Sequence, residues 1–333
     1  MVTISLVTYN GARWLDGCLA SLATQDLGDY ELLVLDNASD DDAVVRLREY
    51  ATREPRMALR VSDSNLGYAA AHNRNIRAAR GDAVLLLNQD AELDPGFLSA
   101  AVSVLRERPD VGSVQGRLRR LGGPGDRLDT LDTTGLVMQR DRRAVSRGQG
   151  QVDGPTHGRS GAVWGVDGPA PVYRRGALLD ARLPRSTGGW EILDEDFFLY
   201  KEDVDLAWRL RLLGWEAWYE PAALGWHARG TADTGATRPL EIIRANLGNR
   251  PEVRALSWRN QRLMQLKNDT LGSFLRDMPW IARRELFSMI FLLVADRHRL
   301  RMLPDLLRAT PAAARKHRYL HRRTAAGRGS RRA

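Results

Sequence analysis

The sequence predicts an α/β fold, in which a mainly parallel β-sheet carries helices on its faces and a helical, basic region follows. The first observation is that short apolar runs alternate with helical patterns through the first half of the 333 residues. Strands that alternate with helices imply parallel strands joined by right-handed crossovers. The second observation is that the last third, from about Pro239, is mostly helical in pattern. We therefore expect one domain over residues 1–240 and a helical region over residues 241–333.

Short apolar runs bounded by polar residues are predicted to be the strands of the sheet. They are residues 2–8, 30–36, 57–62, 83–88 and 111–118. The segments between them have apolar residues at helical spacing and are predicted to be helices. These are residues 12–23, 41–51, 68–80 and 95–108. Acidic residues open the second helix, and Pro95 stands near the start of the fourth, as expected at helix N-termini.

Residues 193–227 follow loops rich in Gly and Pro, and they contain the highest density of recognisable sequence patterns. From Val204 on, apolar residues recur at helical spacing and Gly214 is a natural C-terminal stop, which predicts a helix with Glu202 and Asp203 in its first turn. Residues 216–227 are predicted to form a short strand, a turn and a second strand that ends at His227.

The apolar run 286–295 is strongly hydrophobic but is only half the roughly 20 residues that a membrane-spanning helix needs. Arginines flank it on both sides, at positions 283, 284, 297, 299 and 301. This pattern suits a helix that lies in a membrane interface with arginines at the headgroups. A helix packed on the main domain is equally consistent with it.

The charge of +9 is distributed unevenly. From Arg276 to the end there are 15 Lys and Arg against 4 Asp and Glu, so the rest of the chain is close to neutral. Such asymmetry indicates an anionic partner, either membrane lipid or nucleic acid, although a disordered, solubilising terminus has the same composition. The single cysteine, Cys18, excludes an intrachain disulfide and a cysteine-based zinc site, and a reducing cytoplasmic location fits best.

Polar side chains follow four of the predicted strands at the point where each ends. Ligands of parallel α/β sheets bind at this edge, although any one of these residues by itself is more often a cap or turn former. Together they predict a polar rim formed by Thr8, Tyr9, Asn10, Asp36, Asn37, Asn65, Gly67, Asn88, Gln89 and Asp90.

The chemistry of this rim suits a nucleoside diphosphate with a divalent cation. Asp90 offers a hard oxygen ligand, and Mg²⁺ or Mn²⁺ needs only one or two protein ligands when phosphates and waters supply the others. His227 could add a nitrogen, which Mn²⁺ tolerates better than Mg²⁺. Glu202 and Asp203 lie in the first turn of a predicted helix, where the dipole favours an ionised carboxylate, and a simple N-cap role for Asp203 is equally consistent. The chain lacks a P-loop and a GxGxxG motif after its first strand, which argues against an ordinary ATPase or dinucleotide enzyme.

Six short motifs, in order and at matching spacing, resemble the inverting family 2 glycosyltransferases with a GT-A fold. The branch that the chain most resembles is the bacterial rhamnosyltransferase-like one. The motifs are "VTYN" (7–10), "LDNASDD" (35–41), "NLGYAAAHNRNI" (65–76), "LLNQDAELDP" (86–95), "VDGPAPVYRR" (166–175) and "FFLYKEDVDLAWRLRLLGW" (197–215) followed by "GWH" (225–227). Residues 1–240 would then form the nucleotide-sugar-binding and catalytic domain.

The resemblance also implies roles for individual residues. Thr8, Tyr9, Asn10, Asp36 and Asn37 would contact the nucleoside. Asn65, Gly67, Asn73 and Asn88 would line the donor pocket, with Asn88 departing from the family's Asp-x-Asp metal motif. Asp90 and His227 would hold Mg²⁺ or Mn²⁺, and Asp203, beside Glu202, would be the catalytic base. Trp190, Glu191 and Asp194 precede the base helix and could line the acceptor site, although a packed surface loop fits them equally well.

These roles predict a single displacement that inverts the anomeric carbon. The expected donor is a nucleoside-diphosphate sugar, with dTDP-L-rhamnose preferred and a UDP-hexose such as UDP-galactose or UDP-GlcNAc as the alternative. The expected acceptor is a polyprenyl-linked or cell-wall glycan at the inner face of the cell membrane, with the basic tail on anionic lipid. A nucleic-acid-binding protein and a catalytically silent nucleotide-sugar-binding module remain alternatives of other classes. Nucleic acid is not expected as a partner, because it leaves the carboxylates of the neutral body unexplained.

Overall fold

A central ten-stranded β-sheet organises the chain. The computed structural model describes residues 1–185, 187–229 and 248–330, with side chains up to residue 325. The predicted domain boundary at residue 240 lies outside the described residues. The strands are β1 (Val2–Thr8), β2 (Tyr30–Asp36), β3 (Met57–Val61), β4 (Ala83–Asn88), β5 (Ala91–Leu93), β6 (Val111–Leu121), β7 (Arg127–Thr133), β8 (Leu136–Met138), β9 (Ala144–Ser146), β10 (Gly161–Val163), β11 (Val172–Arg174), β12 (Leu183–Pro184), β13 (Trp190–Glu191) and β14 (Glu216–His227).

The helices cover the faces of the sheet and continue as a C-terminal array. They are α1 (Ala12–Ala23), α2 (Ala43–Ala51), α3 (Tyr68–Ala78), α4 (Phe97–Glu107), α5 (Arg175–Asp180), α6 (Glu202–Leu212), α7 (Pro251–Asn268), α8 (Leu271–Val294) and α9 (Leu303–Ser330). The helices and strands predicted before residue 120 are present, with ends that differ by at most three residues. No helix within the described ranges has the length and apolar character needed to cross a bilayer.

The strand order is β10-β14-β6-β11-β4-β1-β2-β3, with β5 paired to β14 and β7 paired to β6. Strands β3, β2, β1 and β4 are parallel, as predicted, whereas β11 runs antiparallel between β4 and β6. The sheet is therefore mixed but mainly parallel, and β1, β2 and β4 end at one edge.

The body of β4 is buried on both faces of the sheet. Leu85 and Leu87 pack in the core formed with α1 and α4, and Leu86 packs on the other side with α3, α5 and α6. A strand that is covered on both faces has a continuous run of apolar residues in its sequence, not an alternation of apolar and polar residues. This explains the three consecutive leucines before the polar residues that follow.

The predicted turn within residues 216–227 is not present. β14 is one continuous strand that runs parallel to β6, and its register shifts between Glu220 and Leu224. Pro221 lies within this irregularity, and proline is tolerated in sheets at bulges because it cannot donate to the ladder. After the bulge, β14 pairs with β6 and also with β5, and the pairing with β5 brings His227 opposite Ala91.

The C-terminal helices pack on the main domain near α6. Leu263 and Met264 of α7 and Ala313 of α9 share a buried cluster with Phe197 and Val204. These contacts belong to α7 and α9, whereas the apolar run 286–295, for which two interpretations were given, lies largely in α8.

Candidate active site

Asp90 and His227, predicted as metal ligands, are brought together by strand pairing. Asp90 lies between β4 and β5, and the antiparallel pairing of β14 with β5 places His227 beside it. His227 Nε2 is 3.4 Å from Asp90 Oδ1. The backbone N–H of Ala228 donates to the carbonyl oxygen of Asp90 over 3.0 Å, which fixes the two segments to each other.

Asp132, a residue that the sequence analysis missed, orients the His227 ring. It is fully buried at the end of β7, and its Oδ2 lies 2.9 Å from His227 Nδ1. The Arg229 guanidinium contacts its other oxygen. Burial alone would raise the pKa of Asp132, but His227 and Arg229 hold it at about 2. A carboxylate on one ring nitrogen directs the other nitrogen towards a ligand, as in many metal sites.

His227 carries a proton near neutral pH in this arrangement. Burial by itself lowers the pKa of the imidazole, but the carboxylates of Asp90 and Asp132 raise it to about 10. Because a metal binds the neutral imidazole, cation binding at Nε2 would displace that proton.

Asp203 lies at the start of α6, as predicted, next to a second missed carboxylate, Asp167. Burial, followed by the negative charge of Asp167, raises the pKa of Asp203 to about 6. Arg229 Nη2 is 3.6 Å from Asp167 Oδ2, so one arginine links the Asp203 side of the site to the Asp132–His227 side. Ser146 Oγ donates to Asp167 over 2.5 Å and holds this carboxylate in place.

Glu202 differs from its neighbour in burial and in protonation. It is 6% exposed, and its Oε2 has no hydrogen-bond partner among the described residues. Burial and the charge of Asp203 raise the pKa of Glu202 to about 8. Near pH 7 the pair therefore consists of a largely ionised Asp203 and a largely protonated Glu202, so Asp203 is the one able to accept a proton.

Tyr68 shows that the three predicted carboxylates share one cleft. After burial, the charges of Glu202, Asp203 and Asp90 all raise the pKa of its phenol well above the usual value. The hydroxyl donates to the carbonyl oxygen of Gly168 over 3.3 Å. Residues far apart in the chain thus converge around this ring.

The residues at the end of β4 fit a hydrated divalent cation. Asp90 is 22% exposed, and the buried Asn88 Oδ1 has no partner in the part of the chain that is described. No group of three or more His, Cys, Asp or Glu side chains surrounds a common metal position in the described ranges. One or two protein ligands suffice for Mg²⁺ or Mn²⁺ when substrate phosphates complete the shell. Asp90, His227 and the free oxygen of Asn88 are a suitable partial set.

The predicted nucleoside residues form the loops at the ends of β1 and β2. Thr8 and Asp36 are completely buried, and the Asp36 carboxylate accepts from the Thr8 hydroxyl over 2.8 Å and from Ser39 Oγ over 2.6 Å. Tyr9 is 43% exposed, and its backbone N–H donates to Gln89 Oε1 over 2.9 Å. The buried pair supports the rim, whereas Tyr9 lies on its surface.

Four further predicted residues shape the same rim through their backbone or amide groups. Asn10 Oδ1 accepts from the N–H of Asp40 over 2.8 Å. Asn37 Nδ2 donates to Asn65 Oδ1 over 2.9 Å. Gly67 has a φ of 78°, and a Cβ there would lie 2.5 Å from the Phe198 ring. Only glycine meets both conditions without strain.

Asn73 lies apart from this rim. It is buried, its Oδ1 accepts from the N–H of Leu193 over 2.9 Å, and its Nδ2 donates to the Leu193 carbonyl over 2.7 Å. The amide is therefore fully used in holding the segment before α6, which is not the donor-pocket position expected for it.

The three predicted acceptor residues also separate. Trp190 is 46% exposed and stacks beside Tyr319, with 5.4 Å between ring centroids. Glu191 and Asp194 are only 3% and 2% exposed. Lys316 Nζ lies 2.6 Å from Glu191 Oε1 and 2.5 Å from Asp194 Oδ1. These two carboxylates are internal ion partners and do not line an open cleft. Their prediction as acceptor residues is wrong because no local pattern signals that lysines of the C-terminal helices meet them.

Comparison with known proteins finds that the chain is similar to glycosyltransferases. A model described as glycosyl transferase family 2 matches residues 3–167. An N-acetylglucosaminyltransferase of Rhizobium meliloti (strain 1021) is 32% identical over 168 residues, which cover 49% of this chain and 36% of that protein. An N-acetylglucosaminyl-diphospho-decaprenol L-rhamnosyltransferase of Mycobacterium tuberculosis (strain ATCC 25618 / H37Rv) is 28% identical over 250 residues, which cover 67% of this chain and 74% of that protein.

Solved structures share the fold. A fragment of S. aureus TarS in complex with UDP-GlcNAc has a TM-score of 0.53 at 17% identity and covers 92% of this chain and 79% of that one. GalNAc-T7 with UDP, GalNAc and Mn²⁺ has a TM-score of 0.57 at 11% identity and covers 90% of this chain and 57% of that one. The predicted α/β fold of the GT-A type is confirmed.

Proposed function

We propose that this chain is a family 2 glycosyl transferase, which moves a sugar from a nucleoside diphosphate to an acceptor hydroxyl with inversion at the anomeric carbon. The observation that carries the proposal is the convergence of Asp90, His227 and Asp203 on one cleft, linked through Asp132, Arg229 and Asp167. Cation ligands and a proton acceptor at one sheet edge are what a single displacement of a nucleoside diphosphate requires.

Asp203 acts as the general base in this proposal. Its oxygen takes the proton of the acceptor hydroxyl as that hydroxyl attacks the anomeric carbon, and the bond to the diphosphate breaks on the opposite face. Its raised pKa, about 6, gives it useful basicity while it stays ionised near neutral pH. Protonated Glu202 beside it adds no second negative charge to the site.

Asp90 and His227, with the Asn88 oxygen near them, would hold Mg²⁺ or Mn²⁺. When bound, the cation neutralises negative charge on the departing diphosphate. Asp132 keeps His227 Nε2 directed towards Asp90, and Arg229 keeps Asp132 ionised.

For the donor we propose dTDP-L-rhamnose, and for the acceptor a polyprenyl-linked or cell-wall glycan. The relative named N-acetylglucosaminyl-diphospho-decaprenol L-rhamnosyltransferase supports this donor and this acceptor. A UDP-hexose is the alternative donor, and the relative named as an N-acetylglucosaminyltransferase supports UDP-GlcNAc.

A donor panel tests the proposal directly. The full chain is incubated with dTDP-rhamnose, UDP-galactose or UDP-GlcNAc, with Mn²⁺, Mg²⁺ or EDTA, while calorimetry follows binding and nucleotide release follows turnover. We expect one donor to bind, with EDTA abolishing its turnover. Asp90→Ala should weaken metal-dependent donor binding, whereas the exposed control Asp110→Asn should not.

The outcomes distinguish the candidate functions. Binding without nucleotide release, with or without a glycan acceptor, would indicate a silent binding module. Failure of every nucleotide sugar to bind or react would refute the transferase proposal altogether.

A further inference from the structure

Exposed apolar side chains are concentrated on one C-terminal helix. Among the described residues, 24 large hydrophobic side chains are exposed, and ten of them lie in α8. Leu286 and Phe287 are 62% and 61% exposed, and Val294 is 79% exposed. A contiguous exposed apolar surface usually marks an interaction site, whereas single exposed apolar residues are ordinary.

The exposed residues form a stripe along the helix. Six of them recur at helical spacing along one face of α8: Leu271, Leu275, Met278, Leu286, Met289 and Leu293. The buried residues of α8 are Asp277, Ile281 and Leu292, which at 3.6 residues per turn project roughly 110° around the helix from the middle of the stripe. The helix therefore packs on the domain along a face that adjoins the stripe, and the stripe itself stays exposed.

Positive charge borders this stripe. Arg276 and Arg283 are exposed on α8, and at 100° per residue both project beside the stripe. Arg297 and Arg301 are exposed just beyond its C-terminal end, in the short 3₁₀ helix Arg297–Met302. The segment from Arg276 onward carries 15 basic against 4 acidic residues.

We infer that α8 docks on an anionic lipid bilayer, with its apolar stripe at the acyl-chain boundary and the bordering arginines among the phosphates. An apolar stripe flanked by arginine is the pattern of helices that lie in a membrane interface. Charge complementarity favours anionic lipid over a second copy of the chain, because two such basic regions repel each other. Nucleic acid would pair with the arginines but would leave the apolar stripe exposed to water. The inference does not depend on the proposed glycosyl transfer, because lipid binding is measured without donor or acceptor.

Vesicle flotation of the full chain tests the inference. One set of vesicles contains phosphatidylcholine with phosphatidylglycerol, and the other contains phosphatidylcholine alone. Wild type should float with the anionic vesicles, and less so as salt rises. The double substitution Leu286→Ser and Leu293→Ser should lower the partition coefficient by about tenfold or more, because each leucine loses its apolar burial in lipid. Arg283→Glu should weaken binding to anionic vesicles only.

The matched control is Val45→Ser with Leu179→Ser, two exposed apolar residues outside α8. It should float like wild type. Light scattering of all variants reports their oligomeric state, and circular dichroism reports folding. Absence of flotation with anionic vesicles, an equal loss in the control, or a wild-type dimer that the α8 substitutions dissociate would each overturn the inference. The dimer result would identify a second copy as the true occupant of the stripe.

Discussion

At the scale of single residues, the acidic pair at the start of α6 divides its roles through burial. Glu202 is buried with an unpaired oxygen, whereas Asp203 is only partly buried and lies beside Asp167. Two adjacent carboxyl groups therefore differ in protonation: near neutral pH Glu202 keeps its proton, whereas Asp203 is ionised. We expect only the second to act as a base.

Asp203→Asn should lower kcat by about 10²–10⁴-fold, the usual contribution of a general base. The amide keeps the shape of the side chain, so donor affinity and the melting temperature should stay close to wild type. Initial rates with the donor identified by the panel give the measurement, with Asp110→Asn as the control. Near-full turnover in a folded Asp203→Asn protein would remove Asp203 from the mechanism.

The pH profile provides a second check on the same residue. A base must be ionised to accept a proton, so kcat/KM should fall as pH drops below about 6, the raised pKa of Asp203. Asp167→Asn removes a negative charge that raises this pKa, and the acid limb should therefore move to lower pH. If the acid limb of kcat/KM stays at the same pH in Asp167→Asn, or moves to higher pH, a group other than Asp203 controls it.

At the scale of elements, the segment that leads into α6 is held from several sides. Phe198, Tyr200 and Lys201 have φ values of 63°, 71° and 74°, which are rare for residues other than glycine. Asn260 Nδ2 of α7 lies 2.9 Å from the carbonyl oxygens of Phe197, Leu199 and Tyr200. Such backbone persists only where its surroundings impose it, and it occurs at functional sites.

Asn260→Ala should therefore lower kcat more than it affects donor affinity, because the start of α6 loses the amide that positions it. It should also cost about 1–3 kcal/mol of unfolding free energy, since buried carbonyls lose their donor. Chemical denaturation and steady-state kinetics measure the two effects. Leu266→Ala, at a 42% exposed position of the same helix, is the matched control and should change neither.

At the scale of the whole molecule, buried ion pairs join the C-terminal helices to the sheet domain. Arg142, in the turn between β8 and β9, has its Nε 2.7 Å from Asp269 Oδ2 and its Nη1 2.8 Å from Asp277 Oδ2. Lys316 of α9 meets Glu191 and Asp194, and Lys267 of α7 lies 2.8 Å from Asp205 of α6. The basic tail is thus anchored at least as far as residue 316.

Arg142→Met should destabilise the protein by about 3–5 kcal/mol, because it leaves the buried Asp269 carboxylate without its guanidinium partner and removes the buried partner of Asp277. Arg140→Met is the matched control, since Arg140 pairs with the same Asp277 over 3.0 Å but is 55% exposed. Exposed pairs contribute about 1 kcal/mol or less. Denaturant titrations should show a clearly larger loss of unfolding free energy for Arg142→Met than for Arg140→Met. Equal losses would mean that burial does not determine how much these ion pairs stabilise the protein.

The order of strands and helices, and the positions of Asp90, Asp203 and His227 at their ends, followed from the sequence by itself. Local patterns encode them: apolar runs, helical spacing and the polar residues that interrupt both. Asp132 and Arg229 lie in segments with no such signal, and Asp167 lies in a recognised motif, residues 166–175, that by itself assigned it no role. Asp194 is separated from Lys316 by more than a hundred residues. Only the tertiary structure decided their roles, because strand pairing across the sheet and packing of the last helices determine which charges meet.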